Sequence, residues 1–187
     1  RLIGMSTLVV TGGSRGIGAA VSVAAAAAGW DVVVDFARDE SAAADVVRRI
    51  IGAGGHALAV QADVRDAASV EALFSAADAW RGPVTGLVNN AGGQFPAPLA
   101  AISAKGWDAV VRTNLTGGFL VARECYTQWM LSNGGAVVNI IADMWNGMPG
   151  MGHSGAARAG MLNFTETASL EWAPVRVNAV APGWIAS

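Results

Sequence analysis

The sequence predicts a doubly wound α/β domain of the Rossmann type: a parallel sheet covered by helices on both faces. Three observations predict it. Short β-branched runs alternate with Ala-rich stretches of helical length, a glycine-rich turn joins the first run to the first helix, and the chain is 53% apolar but only 14% charged. That last balance suits a sheet buried on both sides.

Residues 8–11, 32–35, 57–61, 86–89, 137–141 and 175–180 are the candidate strands, each a short β-branched or apolar run closed by a turn signal. Between them, residues 16–28, 41–53, 67–79, 107–131 and 154–172 are the candidate helices, each ended or followed by Gly, Asn or Pro. Gly29, Gly54 and Gly134 stand where a left-handed residue would close a helix. Strict alternation requires right-handed crossovers, so the expected strand order is 3-2-1-4-5-6 in one domain covering residues 1–187.

The composition excludes several function classes. The formal charge is -2, the one Lys is Lys105, and no basic cluster exists to meet a phosphodiester backbone, so nucleic acid is not an expected partner. Cys125 is alone and His56 and His153 are the only histidines; neither a disulfide framework nor a Cys/His metal site is expected, as suits a reducing cytoplasm. Residues 17–30 are uncharged but too few to span hydrocarbon and read as a buried helix, so no membrane role is expected. Arg1 before Leu2 and Ile3 shows no signal-peptide organisation, so a cytoplasmic location is expected.

What remains is a small-molecule site, and the first turn says of what kind. Thr11-Gly12-Gly13-Ser14-Arg15-Gly16-Ile17-Gly18 follows the first strand and opens the first helix. Glycines let a pyrophosphate approach the backbone, and the helix start offers unpaired N–H groups and partial positive charge. Glycines also punctuate ordinary turns, but a strand, loop and helix in sequence point to a dinucleotide. Asp63-Val64 and Asn89-Asn90-Ala91-Gly92 follow the third and fourth strands, at carboxyl ends where such sheets bind ligands. Asp63 can accept the adenine amino proton or cap a helix, and Asn89 and Asn90 can serve the cofactor or the loop backbone.

These motifs resemble the short-chain dehydrogenase/reductase family over nearly the whole chain. Thr11 to Gly18 is similar to its TGxxxGxG loop, residues 89–92 to its NNAG, and Pro182-Gly183 to its PG after strand six. Gly92-Gly93-Gln94-Phe95, Lys105-Gly106-Trp107, residues 113–117 and residues 153–160 resemble the enoyl- and dienoyl-CoA reductase branch. The resemblance implies a nicotinamide cofactor contacted by Gly12, Ser14, Arg15, Gly16, Ile17, Gly18, Arg38, Asp63, Val64, Asn89, Ala91, Gly92, Arg158, Pro182 and Gly183. It also implies a substrate lid and a seventh strand beyond Ser187; the scarcity of charge, by itself, fits a homo-oligomer, a dimer or tetramer.

An acid at the tip of strand two holds the ribose hydroxyls of NAD(H), whereas nearby Arg accommodates the 2′-phosphate of NADP(H). By resemblance the selecting acid would fall at Phe36, with Arg15 and Arg38 flanking a phosphate, which favours NADP(H); Asp35, one residue away, keeps NAD(H) open, and both arginines also read as solvated surface charges.

Catalysis in the family resembles an Asn, Ser, Tyr, Lys arrangement. Asn114 matches the Asn, where a buried hydrogen-bonding role is the alternative. The Lys position holds Arg158 and the Tyr position, four residues earlier on the same helix face, holds Ser154. Arg158 can stabilise an enolate but cannot pass protons, and Ser154 is a hydrogen-bond donor rather than an acid. The Ser site falls among Ile141, Ala142 and Asp143. Asp143 becomes a candidate acid if partly buried and is otherwise a solvated loop residue. His153 is expected to pack at the helix start, and Tyr126, the only Tyr, to sit in the core or an interface.

The leading expectation is therefore an NADP(H)-dependent reductase of an enoyl, dienoyl or ketoacyl thioester, acyl-CoA among them. Arg158 and Ser154 would stabilise developing charge, Asn114 would hold a water, and that water or Asp143 would supply the proton. The rivals are a cofactor-binding protein with degraded catalysis, serving sensing or assembly, and an NAD-dependent alcohol dehydrogenase. Trp145 and Trp184 are expected to border the substrate cleft; Tyr126 and Trp129 are expected either on a subunit face or buried.

Overall fold

The computed structural model describes residues 6–183 and 185; Trp184 and the expectation attached to it lie outside them. Six strands, β1 (Thr7–Val10), β2 (Asp31–Phe36), β3 (His56–Gln61), β4 (Val84–Asn89), β5 (Ala136–Ile140) and β6 (Arg176–Val180), form one sheet. Its order is β3-β2-β1-β4-β5-β6, every pairing is parallel, and this is the order expected from the alternation.

The helices are α1 (Gly16–Ala27), α2 (Glu40–Gly52), α3 (Ala67–Arg81), α4 (Ala104–Val111), α5 (Gly118–Cys125), α6 (Leu131–Asn133) and α7 (Gly152–Glu171). Neighbouring strand residues point to opposite faces. Val9 and Val33 accordingly join a core with Leu73, Phe74, Val121 and Ala168, from α3, α5 and α7. Leu8, Val10, Val32 and Val34 join another with Ala19, Val46 and Ile50, from α1 and α2. Both faces are therefore closed, as the apolar strands require.

Side-chain caps set several boundaries. Asp39 accepts from the Ala42 N–H at 3.0 Å and starts α2. Asp66 does the same for the Ser69 N–H at 2.9 Å. The helix expected over residues 107–131 begins earlier, because Ser103 Oγ accepts from the Gly106 N–H at 3.1 Å. That helical stretch is not uniform: it is π-wound over Arg112–Gly117 and again over Tyr126–Met130. A hydropathy pattern carries no mark of such widening. Gly29, Gly54 and Gly134 all have positive φ, as placed by the sequence.

Candidate active site

The carboxyl ends of the strands open onto two cavities that share a wall. The larger, about 1360 Å³, runs from the glycine turn past the tips of β2 and β3. The smaller, about 540 Å³, lies between the ends of β4 and β5, the loop after β5 and α7. Ile17, Asn90, Gly92, Gly93, Gln94 and Ile185 line both, so they mark the seam. This is the switch point of the sheet, where β1 and β4 lead their connections to opposite faces.

The larger cavity is shaped by main chain. Gly12 and Gly16 have φ of 60° and 53°, a region closed to most side chains. A Cβ on Gly18 would collide with the Gly12 carbonyl and the Asn90 amide, so this glycine seats the turn on the helix. Arg15, the N-cap of α1, supplies no side-chain acceptor, and the first-turn N–H groups stay open to a ligand. The Thr11 hydroxyl accepts from the N–H groups of Asn90 and Ala91, each at 2.9 Å. Asn90 Nδ2 donates to the carbonyls of Thr11 and Gly12 at 2.9 and 3.2 Å. The turn after β1 and the loop after β4 are thereby held as one unit.

Most of the expected cofactor residues line this cavity: Gly12, Ser14, Arg15, Gly16, Ile17, Arg38, Asp63, Val64, Ala91 and Gly92. Pro182, Gly183 and Arg158 line the smaller one. Asn89 lines neither. It is buried and donates to the Gly118 carbonyl at 2.7 Å and to Asn139 Oδ1 at 3.2 Å, a tie between β4, α5 and β5. Asp63 is gripped by Arg65 at 2.6 and 2.8 Å, which holds its carboxyl down at about 2.

Asp35 turns inward. Its Oδ2 accepts from the Gly12 N–H at 3.1 Å, and Oδ1 is buried without a partner. Burial pushes this carboxyl up to about 7, even though the Gly12 hydrogen bond opposes it. Phe36 is buried at the strand tip, while Arg15 and Arg38 are exposed on the cavity wall and Arg15 pairs with Asp39 at 3.5 Å.

The smaller cavity is shaped by side chains. Arg158 lines it, half-buried, with Nη1 donating to the Ile140 carbonyl at 2.6 Å. Among the described residues no carboxylate lies within ion-pair distance of it. Desolvation lowers its pKa from the usual guanidinium value. A Cβ on Gly92 would meet the guanidinium, so a side chain there would displace Arg158.

Three expected catalytic groups sit differently from their assigned roles. Ser154 is buried and lines neither cavity: its hydroxyl donates to Gln94 Oε1 at 2.7 Å. Asn114, on the first π-wound segment, clamps Gly93 by accepting from its N–H at 2.8 Å and donating to its carbonyl at 3.0 Å. Its Nδ2 also faces Ser154 Oγ at 3.5 Å. Asp143 lines the cavity but is exposed rather than partly buried, with its N–H on the Pro182 carbonyl at 3.2 Å.

His153 packs at the start of α7 as expected, against Phe95 with ring centroids 4.5 Å apart, and its Nδ1 accepts from the Ser154 N–H. Tyr126 stacks on Trp172 at 4.3 Å, and it and Trp129 pack half-buried against the core. Trp145 is exposed and lines neither cavity, which corrects its assignment to the cleft. Sequence reasoning gave no role of its own to Gln94, two residues beyond the recognised NNAG; for Asn90 the loop-backbone alternative is the one observed. Among the described residues no cluster of His, Cys, Asp and Glu could hold a metal, and no helix is long and apolar enough to cross a membrane.

Residues 6–187 match the family described as short chain dehydrogenase. The chain belongs to the short-chain dehydrogenase family. A solved structure of the citronellol catabolism dehydrogenase AtuB of Pseudomonas aeruginosa is 51% identical with a TM-score of 0.92, and the match covers 97% of this chain and 75% of that one. A 3-oxoacyl-[acyl-carrier-protein] reductase of Synechocystis is 42% identical, over 96% of this chain and 74% of that protein. The 3beta-hydroxysteroid dehydrogenase 1 of Eggerthella lenta is 39% identical, over 95% and 69%. Membership makes this short-chain dehydrogenase an oxidoreductase. Its one Tyr, Tyr126, and one Lys, Lys105, line neither cavity.

Proposed function

We propose that this short-chain dehydrogenase is an NADP(H)-dependent reductase of a carbonyl-conjugated acyl thioester, enoyl, dienoyl or 3-oxoacyl. The observation that carries the reading is Arg158: a half-buried cation with no carboxylate partner among the described residues, lining a cavity whose other walls include Ile140, Ile141, Ala142, Met148 and Met151. An unpaired charge in such a place is costly unless negative charge arrives beside it. The apolar walls suit an acyl chain, and the naming of the Synechocystis relative supports the 3-oxoacyl member of the class.

The larger cavity fits a dinucleotide by its own geometry, a turn with no Cβ in the way and helix N–H groups left open. NADPH bound there supplies a hydride to the substrate. Phe36 in place of an acid, Asp35 committed to Gly12, and Arg15 and Arg38 at the rim support the phosphorylated coenzyme. Arg158 stabilises the oxyanion. Asp143 lines the smaller cavity but is exposed, the solvated-loop alternative, so the proton is drawn from water. The reaction is placed in the cytoplasm, where the unpaired Cys125 stays reduced. A homo-oligomer is proposed from the scarcity of charge, 14% of the residues against 53% apolar.

Rapid mixing of the NADPH-loaded protein with enoyl, dienoyl and 3-oxoacyl thioesters should consume the cofactor absorbance in a single turnover. Binding of NADPH without consumption across all three would overturn the reading and leave a cofactor-binding protein.

A further inference from the structure

Helix α7 carries glycine at 152, 155 and 160, and at each the space of the missing Cβ is taken by an apolar side chain from another segment: Leu99, Met148 and Leu115. The backbone does not require Gly155. It stands inside the helix without a positive φ, where glycine weakens a helix relative to alanine. What it admits is Met148, whose Cβ, Cγ and Sδ lie 3.3, 3.4 and 3.5 Å from the point that a Cβ on Gly155 would occupy. Of the three side chains seated in this way, Met148 alone lines the smaller cavity, and Gly155 does not reach it. Met148 thus lies half-buried between the helix and the cavity.

The main chain around Met148 is tied on several sides. Its carbonyl accepts from the Met151 N–H at 2.9 Å, the Met151 carbonyl accepts from the Gly155 N–H at 3.0 Å, and the Gly150 carbonyl accepts from the Ala97 N–H at 2.8 Å. A side chain pushed off Gly155 therefore turns toward the open cavity rather than carrying the loop away. An unbranched thioether on three rotatable bonds makes that turn readily, so what stands behind Met148 sets how much of the cavity is free. The cavity of about 540 Å³ is of a size that holds a drug-sized ligand, more than a four-carbon acyl chain fills.

We propose that Met148 is a specificity-determining residue, with Gly155 as its positioning residue: the thioether laid on the bare helix leaves room for an acyl chain of medium length, about six to eight carbons, and a side chain at 155 turns it into that room. The proposal rests on the reductase reading above and names the chain that the substrate carries.

The test measures kcat and KM with four-, six- and eight-carbon thioesters for wild type, Gly155→Ala, Gly155→Val, Met148→Leu, Met148→Ala and the Gly155→Val/Met148→Ala double variant, with NADPH affinity and Tm for each. Wild type is expected to prefer eight carbons to four by at least about tenfold in kcat/KM, the scale set by added methylenes in an apolar pocket. Gly155→Val should lower that preference about tenfold through KM for the long chain, with kcat for the short chain and NADPH affinity within about twofold. Gly155→Ala, one methyl against a neighbour that can give, should lower it about threefold, and it decides the matter if Gly155→Val does not fold. Met148→Leu conserves the volume and should keep the preference. In the Met148→Ala background Gly155→Val should change nothing further, because a positioning residue acts only through the group it holds.

A wild type that prefers four carbons overturns the proposal, as does a preference that neither Gly155 variant alters, or one that Gly155→Val lowers equally without Met148. In each case turnover itself leaves the reductase reading standing. If wild type turns over none of the thioesters, that reading fails, and calorimetry of the NADPH-loaded protein with butanoate and octanoate, whose carboxylate Arg158 attracts, reads the wall directly. A preference for octanoate that Gly155→Val abolishes supports the role of Met148, and one that it leaves intact overturns it.

Discussion

The two cavities of this short-chain dehydrogenase meet along one seam yet are built by different means. The dinucleotide side is shaped by main chain: positive φ at Gly12 and Gly16, the close approach at Gly18, and a Thr11 hydroxyl bonded to two backbone N–H groups. The other side is shaped by side chains from distant segments: Asn114, Ser154 and Gln94, linked by hydrogen bonds, and Arg158, held by the Ile140 carbonyl. Backbone geometry tolerates few residue types and so leaves a local motif. A side-chain relay can be rewritten residue by residue, and so leaves no local motif.

The comparison is broken most sharply at Gly18. Gly18→Ala places a Cβ against the Gly12 carbonyl and the Asn90 amide, and NADPH affinity is expected to fall more than about 100-fold as the turn is displaced. Isothermal calorimetry checks this. An unchanged dissociation constant would deny that main chain shapes the larger cavity.

Arg158→Met is the matching cut on the other side. It should lower kcat/KM about 100-fold, the magnitude of losing one preorganised charge partner, while NADPH binding changes less than about threefold. A parallel loss of both in steady-state kinetics and calorimetry would show that the two sides are not separate devices.

Asp35 sharpens the boundary between them, since it is a side chain that serves the backbone turn. Its carboxyl is raised from an ordinary 3.8 to about 7, so the folded protein holds the proton more tightly than the unfolded chain. The stabilising contribution is therefore complete below the unfolded value and lost as pH rises toward 7, at up to about 1.4 kcal/mol per pH unit. Arg15, Arg38, Asp39, Asp63 and Arg65 line the same cavity, and of these Asp63 reinforces the shift. Asp35→Asn keeps an acceptor for the Gly12 N–H without the charge. Its Tm should fall less than the wild-type Tm between pH 5 and pH 8, and an unaltered slope in thermal melts would refute the assignment.

The smallest effect is expected at the rim. Arg38→Ala should weaken NADPH binding about fivefold and leave NADH binding unchanged, since an exposed charge is screened by water and salt. Competitive titration of the two coenzymes measures the ratio.

Much of the dinucleotide side was legible before any coordinates: the strand order, the glycine turn and most of its lining residues follow from local pattern. Asn89 was one exception. It is adjacent to Asn90 in the same motif, yet one residue of offset at the end of a strand turns it into the core, while Asn90 reaches the turn. On the substrate side the expected residues were found close together, but their roles changed. Ser154 lies behind Gln94, Asn114 clamps a backbone, Asp143 is exposed, and Trp145 stands away from the cleft. None of these follows from spacing along the chain, because each depends on which neighbour takes a given lone pair or proton.

By itself the sequence determined that this chain forms a parallel sheet closed on both faces and a turn fit for a diphosphate, because apolar alternation and obligatory glycines are local requirements of the backbone. Only the tertiary structure decided which side chains meet around the smaller cavity. Residues 94, 114, 154 and 158 are brought together by the crossing of β4, the π-wound segment and α7, and the direction of each hydrogen bond among them is set by contacts that exist only after folding.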